Sequence, residues 1–340
     1  MGHDKLRKFA ENETFSCLLQ PSAAEVLADG FDHLRDHPVK GHWFEGGGSH
    51  CPQNRLASLD PTADAVPPLT VPRVARVVGG NAPAASPLIL ELGCGKGEYT
   101  LELARRNPGS NYVGVDIKGA RLWRGAKTAT EEDLKNVAFL RTRIEFITAF
   151  FAPGEVSEIW LTFSDPQPKS ENNRLTSPGF LDRYRKMLKP GGIVRLKTDS
   201  RFLYEYTRAV VEANDLKLLA CTTDLYGDAA GSHCPQNRLA SLDPTADAVP
   251  PLTVPRVARV VGGNAPCRLN IEPEVREVQT FYESMFLEQG VPITYLAFCI
   301  DHEGPFVHPA DKFDAARWRE LDNSRRSFGH GASSNASNTR

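Results

Sequence analysis

The feature that most constrains this chain is a glycine-rich turn between a predicted buried strand and a predicted helix. Residues 88–100 read LILELGCGKGEYT, in which an apolar run leads to Gly93, Gly95 and Gly97 and then to a helical pattern. Glycine is needed where a chain turns sharply out of a buried strand and its backbone comes close to a ligand. The amide groups that open the following helix favour negatively charged ligand atoms such as a carboxylate. A plain surface turn can also carry glycines, so the surrounding residues decide between the two interpretations.

Two acidic residues beside the glycines favour S-adenosyl-L-methionine as the ligand. Asp116 ends the next apolar run, nineteen residues after Gly97, where a strand–helix–strand unit places a ribose-binding carboxylate. Glu91 lies two residues before the first glycine, where it suits a ligand with a cationic sulfonium and an amine rather than the pyrophosphate of NAD. The glycine spacing also differs from the dinucleotide pattern. The alternative is another α/β nucleotide-binding fold.

Apolar runs and helical patterns alternate from residue 88 onward, which predicts an α/β fold with a doubly wound sheet. A closing pair of strands makes this a mixed sheet of seven strands flanked by helices. The predicted strands are Leu88–Leu92, Tyr112–Asp116, Val137–Leu140, Ile159–Phe163, Ile193–Lys197, Leu216–Thr222 and Ile293–Ile300. The predicted helices are Tyr99–Arg106, Ala120–Thr128, Ile144–Phe151, Pro178–Leu188, Arg201–Asn214 and Glu274–Gln289, and Lys189–Gly192 is a predicted turn.

A segment of 36 residues occurs twice without a single change, at 48–83 and at 231–266. The two copies are separated by a whole domain, so they cannot stack on each other as a solenoid does. Their richness in Pro, Ala and small polar residues predicts two loop insertions with little structure of their own.

Composition restricts the class of protein. No run of about 18 apolar residues is present, which predicts no transmembrane helix. Seven cysteines without paired spacing favour reduced thiols in a cytoplasmic protein, and no His/Cys cluster suggests a metal site. The formal net charge of −2 predicts no nucleic-acid partner by itself, so such a prediction depends on local clusters.

Carboxylates follow two neighbouring predicted strands. Asp165 follows the fourth strand in a Ser-Asp-Pro sequence, and Asp199 follows the fifth in Lys-Thr-Asp. Ligands of open α/β sheets bind beyond the carboxyl ends of the strands, so we expect both acids beside the glycine turn. An Asp-Pro pair alone is also an ordinary turn former.

Basic residues cluster near this predicted edge. Lys169 and Arg174 flank the Asp165 loop, Arg183–Arg201 contains seven Lys and Arg residues, and four more lie in Lys118–Lys127. Single cations are usually solvated, but clusters beside a catalytic edge suit a phosphate-rich polyanion. The pattern therefore favours a nucleic-acid substrate over a small molecule.

The combined motifs resemble bacterial tRNA (guanine-N7-)-methyltransferases, which methylate the variable-loop guanine at tRNA position 46. The resemblance implies a Rossmann-like class I methyltransferase fold, S-adenosyl-L-methionine as the cofactor and tRNA as the substrate. The matching motifs are Lys40-Gly-His-Trp43, Glu91-Leu-Gly-Cys-Gly-Lys-Gly97, Val115-Asp116, Phe163-Ser-Asp-Pro166 with Lys169, Arg174-Leu-Thr176, Lys197-Thr-Asp199 and Thr280-Phe-Tyr-Glu283.

Carried over by position, the resemblance implies a role for each matching residue. Asp165 matches the catalytic aspartate, which also lies near the cofactor. Arg143 stands where relatives usually carry Asp or Asn near the adenine, and Gln167 replaces a frequent Trp. The implied cofactor contacts are Glu91, Gly93, Gly95, Gly97, Asp116, Arg143 and Asp165. The implied substrate contacts are Lys169, Arg174, Asp199, Thr280, Phe281, Tyr282 and Glu283.

These predictions divide the chain into a core, two inserts and two ends. The predicted parts are a mostly solvated N-terminal arm at 1–45, a first insert at 46–87, the cofactor-binding core at 88–227, a second insert at 228–268, a C-terminal helix and strand at 269–302 that complete the core, and a flexible tail at 303–340.

Two other functions remain open from the sequence. One is a methyltransferase that uses the same cofactor on a protein or a small molecule. The other is an inactive protein that binds S-adenosyl-L-methionine and tRNA. The oligomeric state, monomer or homodimer, is open as well.

Overall fold

A computed structural model of the chain describes residues 2–28, 33–44, 86–227 and 271–309. Both copies of the 36-residue repeat, which we predict to be loop insertions, lie outside the described residues. So do residues 310–340 of the predicted tail.

The described residues form eight strands and eight α-helices. The strands are β1 (Leu18–Leu19), β2 (Leu88–Leu92), β3 (Asn111–Asp116), β4 (Val137–Arg141), β5 (Val156–Thr162), β6 (Leu188–Thr198), β7 (Leu218–Thr222) and β8 (Thr294–Cys299). The helices are α1 (Gly2–Asn12), α2 (Ala23–Val26), α3 (Glu98–Arg106), α4 (Gly119–Glu131), α5 (Pro178–Arg185), α6 (Arg201–Ala213), α7 (Glu274–Glu277) and α8 (Phe281–Glu288), and two short 3₁₀ helices cover Ile144–Ala149 and Glu171–Asn173.

All eight strands belong to one mixed sheet with the order β1-β4-β3-β2-β5-β6-β8-β7. β8 runs antiparallel to its neighbours β6 and β7, and every other pair is parallel. The central strands are buried along most of their length because helices cover both faces of a parallel sheet. The predicted α/β fold with a mixed sheet is therefore confirmed, and the carboxyl ends of β2 to β6 meet at one edge.

The eighth strand comes from the N-terminal arm, which the sequence alone left mostly solvated. Leu18 and Leu19 are buried in β1 and pair with Phe139 and Leu140 of β4. Trp43 is buried as well, and its indole N–H donates a 2.8 Å hydrogen bond to the carbonyl of residue 150. The arm is thus part of the core.

Three predicted elements differ in the structure. The predicted helix Ile144–Phe151 is the shorter 3₁₀ helix Ile144–Ala149. The predicted single helix Glu274–Gln289 is α7 and α8, because Thr280 is extended (φ −87°, ψ 162°) and caps α8 with its side chain. The predicted turn Lys189–Gly192 lies inside β6, where the pairing with β5 shifts from Val156 opposite Leu188 to Glu158 opposite Ile193. The turn residues form a bulge.

The first residues of the predicted tail pack on the core. The backbone N–H of Val307 donates a 2.7 Å bond to the side chain of Asn214, which donates in return to the Val307 carbonyl. A guanidinium nitrogen of Arg185 donates to the carbonyl of His302 at 3.0 Å.

Candidate cofactor and substrate site

The glycine loop joins β2 to α3, and its three glycines have left-handed backbone conformations. The φ angles of Gly93, Gly95 and Gly97 are +81°, +59° and +73°. A Cβ atom on Gly93 or Gly95 would meet no atom of the described residues within 4 Å, whereas one on Gly97 would lie 2.5 Å from the ring of Phe139. The first two glycines therefore leave the loop open to a ligand, and the third allows close packing.

Asp116 ties the end of β3 to this loop. Its Oδ2 accepts a 3.0 Å hydrogen bond from the backbone N–H of Gly95, and its Oδ1 accepts a 2.7 Å bond from that of Lys118. The residue is 7% exposed. The structure thus places Asp116 beside the glycine loop, where the sequence predicts it.

Glu91 lies beneath the loop, and its side chain is fully enclosed by polar partners. Its Oε2 accepts bonds from the backbone N–H of Thr100, at 2.8 Å, and from the Thr100 hydroxyl, while Oε1 accepts from the hydroxyl of Thr162. Burial raises the pKa of Glu91 to about 7, although both threonines lower it in part. Neither Thr100 nor Thr162 was predicted as a site residue from the sequence.

A fourth glycine brings α4 against the loop and was also missed. A Cβ atom on Gly125 would lie 2.8 Å from the backbone carbonyl oxygen of Lys96 and 2.6 Å from the ring of Phe139. Only a residue without a side chain fits there. The sequence signal was a glycine within a helical pattern, where glycine costs about 1 kcal/mol and needs a packing reason.

The Asp165 loop follows β5 and contains two residues in the left-handed region. Phe163 has φ +49° and Gln167 has φ +46°. The backbone N–H of Gln167 donates a 3.0 Å bond to the Asp165 carboxylate, and Asp165 and Lys169 are exposed. Ser164 Oγ is buried and has no hydrogen-bond partner among the described residues. Such strain in non-glycine residues is typical of functional loops.

Arg174 supports this loop from inside the protein. The residue is 4% exposed, and its guanidinium carbon lies 4.7 Å from the ring centre of Phe202 and 4.3 Å from that of Tyr206. Its Nε donates a 3.2 Å bond to the carbonyl of Gln167. Arg174 therefore contacts the backbone of the loop that carries Asp165.

Asp199 follows β6 at the same edge of the sheet. β6 pairs in parallel with β5 so that Lys197 lies opposite Thr162. The residues just beyond these strands, Asp165 and Asp199, therefore belong to adjacent loops. Asp199 is half-buried and Asp165 is exposed.

Two of the four side chains in the segment Thr280–Glu283 form bonds within the protein, and the other two are exposed. Glu283 is fully buried, where its Oε1 lies 2.8 Å from Nζ of Lys197, and its backbone N–H donates to the Thr280 hydroxyl at 3.2 Å. Phe281 and Tyr282 are 59% and 54% exposed. The hydroxyl of Tyr226, which sequence analysis missed, donates a 2.6 Å bond to Glu283.

The structure corrects the basic surface predicted at Arg183–Arg201. Arg195 is buried and pairs with Glu158 and Glu272 at 2.8 and 2.9 Å, and Lys197 is buried with Glu283. Lys189 lies at the start of β6, on the opposite edge of the sheet. The prediction was wrong because β6 runs from one edge of the sheet to the other, and its Arg195 and Lys197 face the buried side, where carboxylates neutralise them.

Arg143 lies beyond the end of β4, next to the loop after β3. The backbone N–H of the preceding Thr142 donates a 3.2 Å bond to the carbonyl of Asp116. The Arg143 side chain is exposed and pairs with Glu145 at 2.9 Å. Arg143 therefore lies at the edge of the sheet that holds the glycine loop and Asp116.

Comparisons with known proteins agree with this arrangement. A family model described as a putative methyltransferase matches residues 85–230. The tRNA (guanine-N(7)-)-methyltransferase of Christiangramia forsetii is 39% identical over 299 residues, which cover 87% of this chain and 98% of that protein. The chain belongs to the tRNA (guanine-N(7)-)-methyltransferase family. The enzyme of the same name from Bacteroides thetaiotaomicron is 41% identical over 241 residues, covering 71% of this chain and 79% of that one.

Membership of the tRNA (guanine-N(7)-)-methyltransferase family confirms the predicted class I methyltransferase fold, with eight strands instead of seven. The cofactor of this family is S-adenosyl-L-methionine. The open faces of Gly93 and Gly95 and the unpartnered hydroxyl of Ser164 fit a polar ligand at this edge. Within the described ranges, no helix is long and apolar enough to cross a bilayer, and no group of three metal-ligating side chains occurs.

Proposed function

We propose that this protein methylates N7 of the variable-loop guanine, position 46, of tRNA in the cytoplasm. The observation that carries the proposal is the meeting of the open glycine loop, Asp116 and the strained Asp165 loop at one sheet edge. Membership of the tRNA (guanine-N(7)-)-methyltransferase family supports the reaction.

In this proposal, the glycine loop and the acids around it hold the cofactor. Bound S-adenosyl-L-methionine supplies an electrophilic methyl group on a cationic sulfonium. Gly93 and Gly95 give the backbone access to it, and Gly97 lets the loop pack against Phe139. The Asp116 carboxylate fixes the loop and keeps lone pairs for ribose hydroxyls. Glu91, when ionised, favours a cationic ligand at the loop. Arg143 and Asp165 complete the proposed cofactor-binding set.

Guanine N7 needs little chemical activation, because it carries a lone pair and no proton. The protein therefore needs no general base to create the nucleophile. Alignment of the reacting atoms can contribute several kcal/mol, up to roughly 7–11. Positive charge develops on the purine as the new bond forms, so a carboxylate near the base stabilises the product-like state.

Asp165 is the proposed catalytic residue. It is exposed at the end of β5, and the N–H of Gln167 fixes one of its carboxylate oxygens. We propose that Asp165 holds the guanine edge and stabilises the cationic ring. Lys169, on the same loop, binds a phosphate.

The remaining proposed substrate contacts come from the neighbouring loop and from α8. Asp199 stands on the loop beside that of Asp165, and the exposed rings of Phe281 and Tyr282 can contact RNA. Arg174, Thr280 and Glu283 serve the substrate by fixing these elements, since their side chains are bonded inside the protein.

The test is methyl transfer from labelled S-adenosyl-L-methionine to an unmodified tRNA transcript. A transcript with adenine in place of the variable-loop guanine is the matched control. We expect label on the first transcript and none on the second. Equal label on both would refute the target position, and label on neither, with the cofactor bound, would identify an inactive binding protein.

A further inference from the structure

A groove between α1, α3 and α4 opens beside the glycine loop. Its volume is about 840 Å³, and most of its lining comes from α3 and α4. Lys96 of the glycine loop and Phe281 at the start of α8 both line it, with the Lys96 ammonium 5.5 Å from the ring centre of Phe281. The groove is therefore continuous with the cofactor and substrate elements, although none of the proposed catalytic groups lies in it.

The groove carries an excess of positive charge. Five Lys or Arg residues line it against three Glu residues. Each of the three carboxylates already has a partner within the protein. These partners are Arg105 for Glu102 at 3.1 Å, Arg106 for Glu277 at 2.5 Å, and the backbone N–H of Phe281 for Glu98 at 2.8 Å.

Arg121 and Arg124 supply the uncompensated charge. Both are exposed on α4, and neither forms an ion pair with another described residue. Residues three apart on a helix lie on one face, about 5–6 Å apart, so the two guanidinium groups can act together. Across the groove, α1 contributes Lys8, whose ammonium lies 4.9 Å from the ring centre of Trp123.

We propose that this groove binds the phosphate backbone of the tRNA, away from the methylated base, with Arg121 and Arg124 as its principal contacts. The inference rests on the proposed function, because a bound tRNA extends far beyond the guanine at the Asp165 loop. Exposed arginines in an open groove suit repeated phosphates, and each contact releases counterions. The exposed ring of Phe281 at the same groove offers a surface on which a base can stack.

The test compares tRNA binding by the full-length protein and by the double variant Arg121→Ala/Arg124→Ala over a range of salt concentrations. Loss of two phosphate contacts should reduce the slope of log Kd against log salt concentration by about two units and weaken binding about tenfold or more near physiological salt. The Kd for S-adenosyl-L-methionine, measured by calorimetry without RNA, should stay within about twofold, since neither arginine is a cofactor contact.

The matched control is Lys189→Ala/Lys217→Ala. Both lysines are exposed and lie at the opposite edge of the sheet, at the starts of β6 and β7. This variant removes two positive charges from the whole protein but none from the groove, so its salt slope should equal that of the parent. An equal fall in slope for both variants would overturn the proposal, because attraction would then depend only on net charge.

An unchanged slope for the Arg121/Arg124 variant would also overturn it. If light scattering then showed a smaller mass for that variant, the groove would be a contact between two copies of this chain. Failure of the proposed function is separable, because it appears as absent methyl transfer by the parent protein, whereas the groove is tested by tRNA binding alone.

Discussion

Lys197 and Glu283 form an ion pair in which neither side chain is exposed to solvent. Nζ of Lys197, on β6, lies 2.8 Å from Oε1 of Glu283, on α8, and also donates to the carbonyls of Val275 and Val278. The pair joins the sheet to the helix that presents Phe281 and Tyr282. Lys197 and Glu283 belong to sequence motifs that predict RNA contacts. In the folded protein they instead connect β6 to α8.

Removal of one side chain of the Lys197–Glu283 pair should lower the stability of the protein, because the other charge is then buried without a partner. We expect Glu283→Ala to lower the free energy of unfolding by about 3–5 kcal/mol, and Lys197→Met/Glu283→Leu to recover most of that loss. Urea unfolding measures both values. Glu212→Ala, which breaks the surface pair with Arg208, is the control and should cost less than about 1 kcal/mol. If the double variant lost as much free energy of unfolding as its two single variants together, the two residues would not be coupled and the prediction would be wrong.

The buried carboxyl of Glu91 should make stability depend on pH. Its pKa is about 7 in the folded protein, against 4.5 as the ordinary value, because burial disfavours the charged form. Between these values the native protein binds more protons than the unfolded chain, so stability falls as the pH rises from about 4.5 to about 7.

The side chain at position 91 cannot ionise in the variant Glu91→Gln, so this variant should not lose stability as the pH rises. The difference in free energy of unfolding between this variant and the parent should therefore grow by up to about 3 kcal/mol from pH 5 to pH 8. Urea unfolding of both proteins at several pH values measures the difference. Parallel stability profiles would show that Glu91 does not titrate in this range.

Asp165→Asn should affect turnover far more than cofactor binding. We expect kcat to fall about 100-fold or more, because the amide cannot stabilise the cationic purine, while the Kd for S-adenosyl-L-methionine stays nearly constant. Methyl-transfer kinetics and calorimetry give the two quantities. Asp133→Asn is the control, because Asp133 is another exposed aspartate but lies before β4. Equal losses in kcat and affinity would refute the role of Asp165.

Arg174→Met should uncouple the Asp165 loop from its support. The variant keeps apolar volume between Phe202 and Tyr206 but loses the hydrogen bond to the Gln167 carbonyl. We expect kcat to fall about tenfold or more, because a small displacement of Asp165 misaligns the reacting groups. The affinity for the cofactor should be retained. Arg208→Met, which removes the ion pair with Glu212 on α6, serves as the control. Unchanged kcat in Arg174→Met would show that the loop holds its shape without the arginine.

The sheet was readable from the sequence because its strands are apolar runs between clear turns. β2 spans Leu88–Leu92 as predicted, and Asp116 ends β3 as expected. β1 was missed because a pair of leucines gives no periodicity, and its burial depends on β4, over 100 residues away. The helix break at Thr280 was missed although the sequence carries its signal, because Thr280 and Glu283 have the spacing of a capping box, which marks a new helix start.

The sequence predicted the main elements of the candidate site but not the contacts that hold these elements in place. Residue types and spacing indicated the glycine loop, Asp116 and Asp165. The sequence could not show that Lys197 and Arg195 are buried, because their partners Glu283 and Glu272 come from a distant part of the chain. Nor could it reveal Thr100 and Thr162, whose role depends on the folded position of Glu91.

The close approach of Gly125 to the Lys96 carbonyl has a thermodynamic consequence. α4 carries the arginines of the groove and also packs against the glycine loop, so one helix contacts both ligand sites. Any shift of α4 that favours RNA changes the loop, and the linkage is reciprocal. The factor by which tRNA alters the affinity for S-adenosyl-L-methionine must equal the factor by which the cofactor alters the affinity for tRNA.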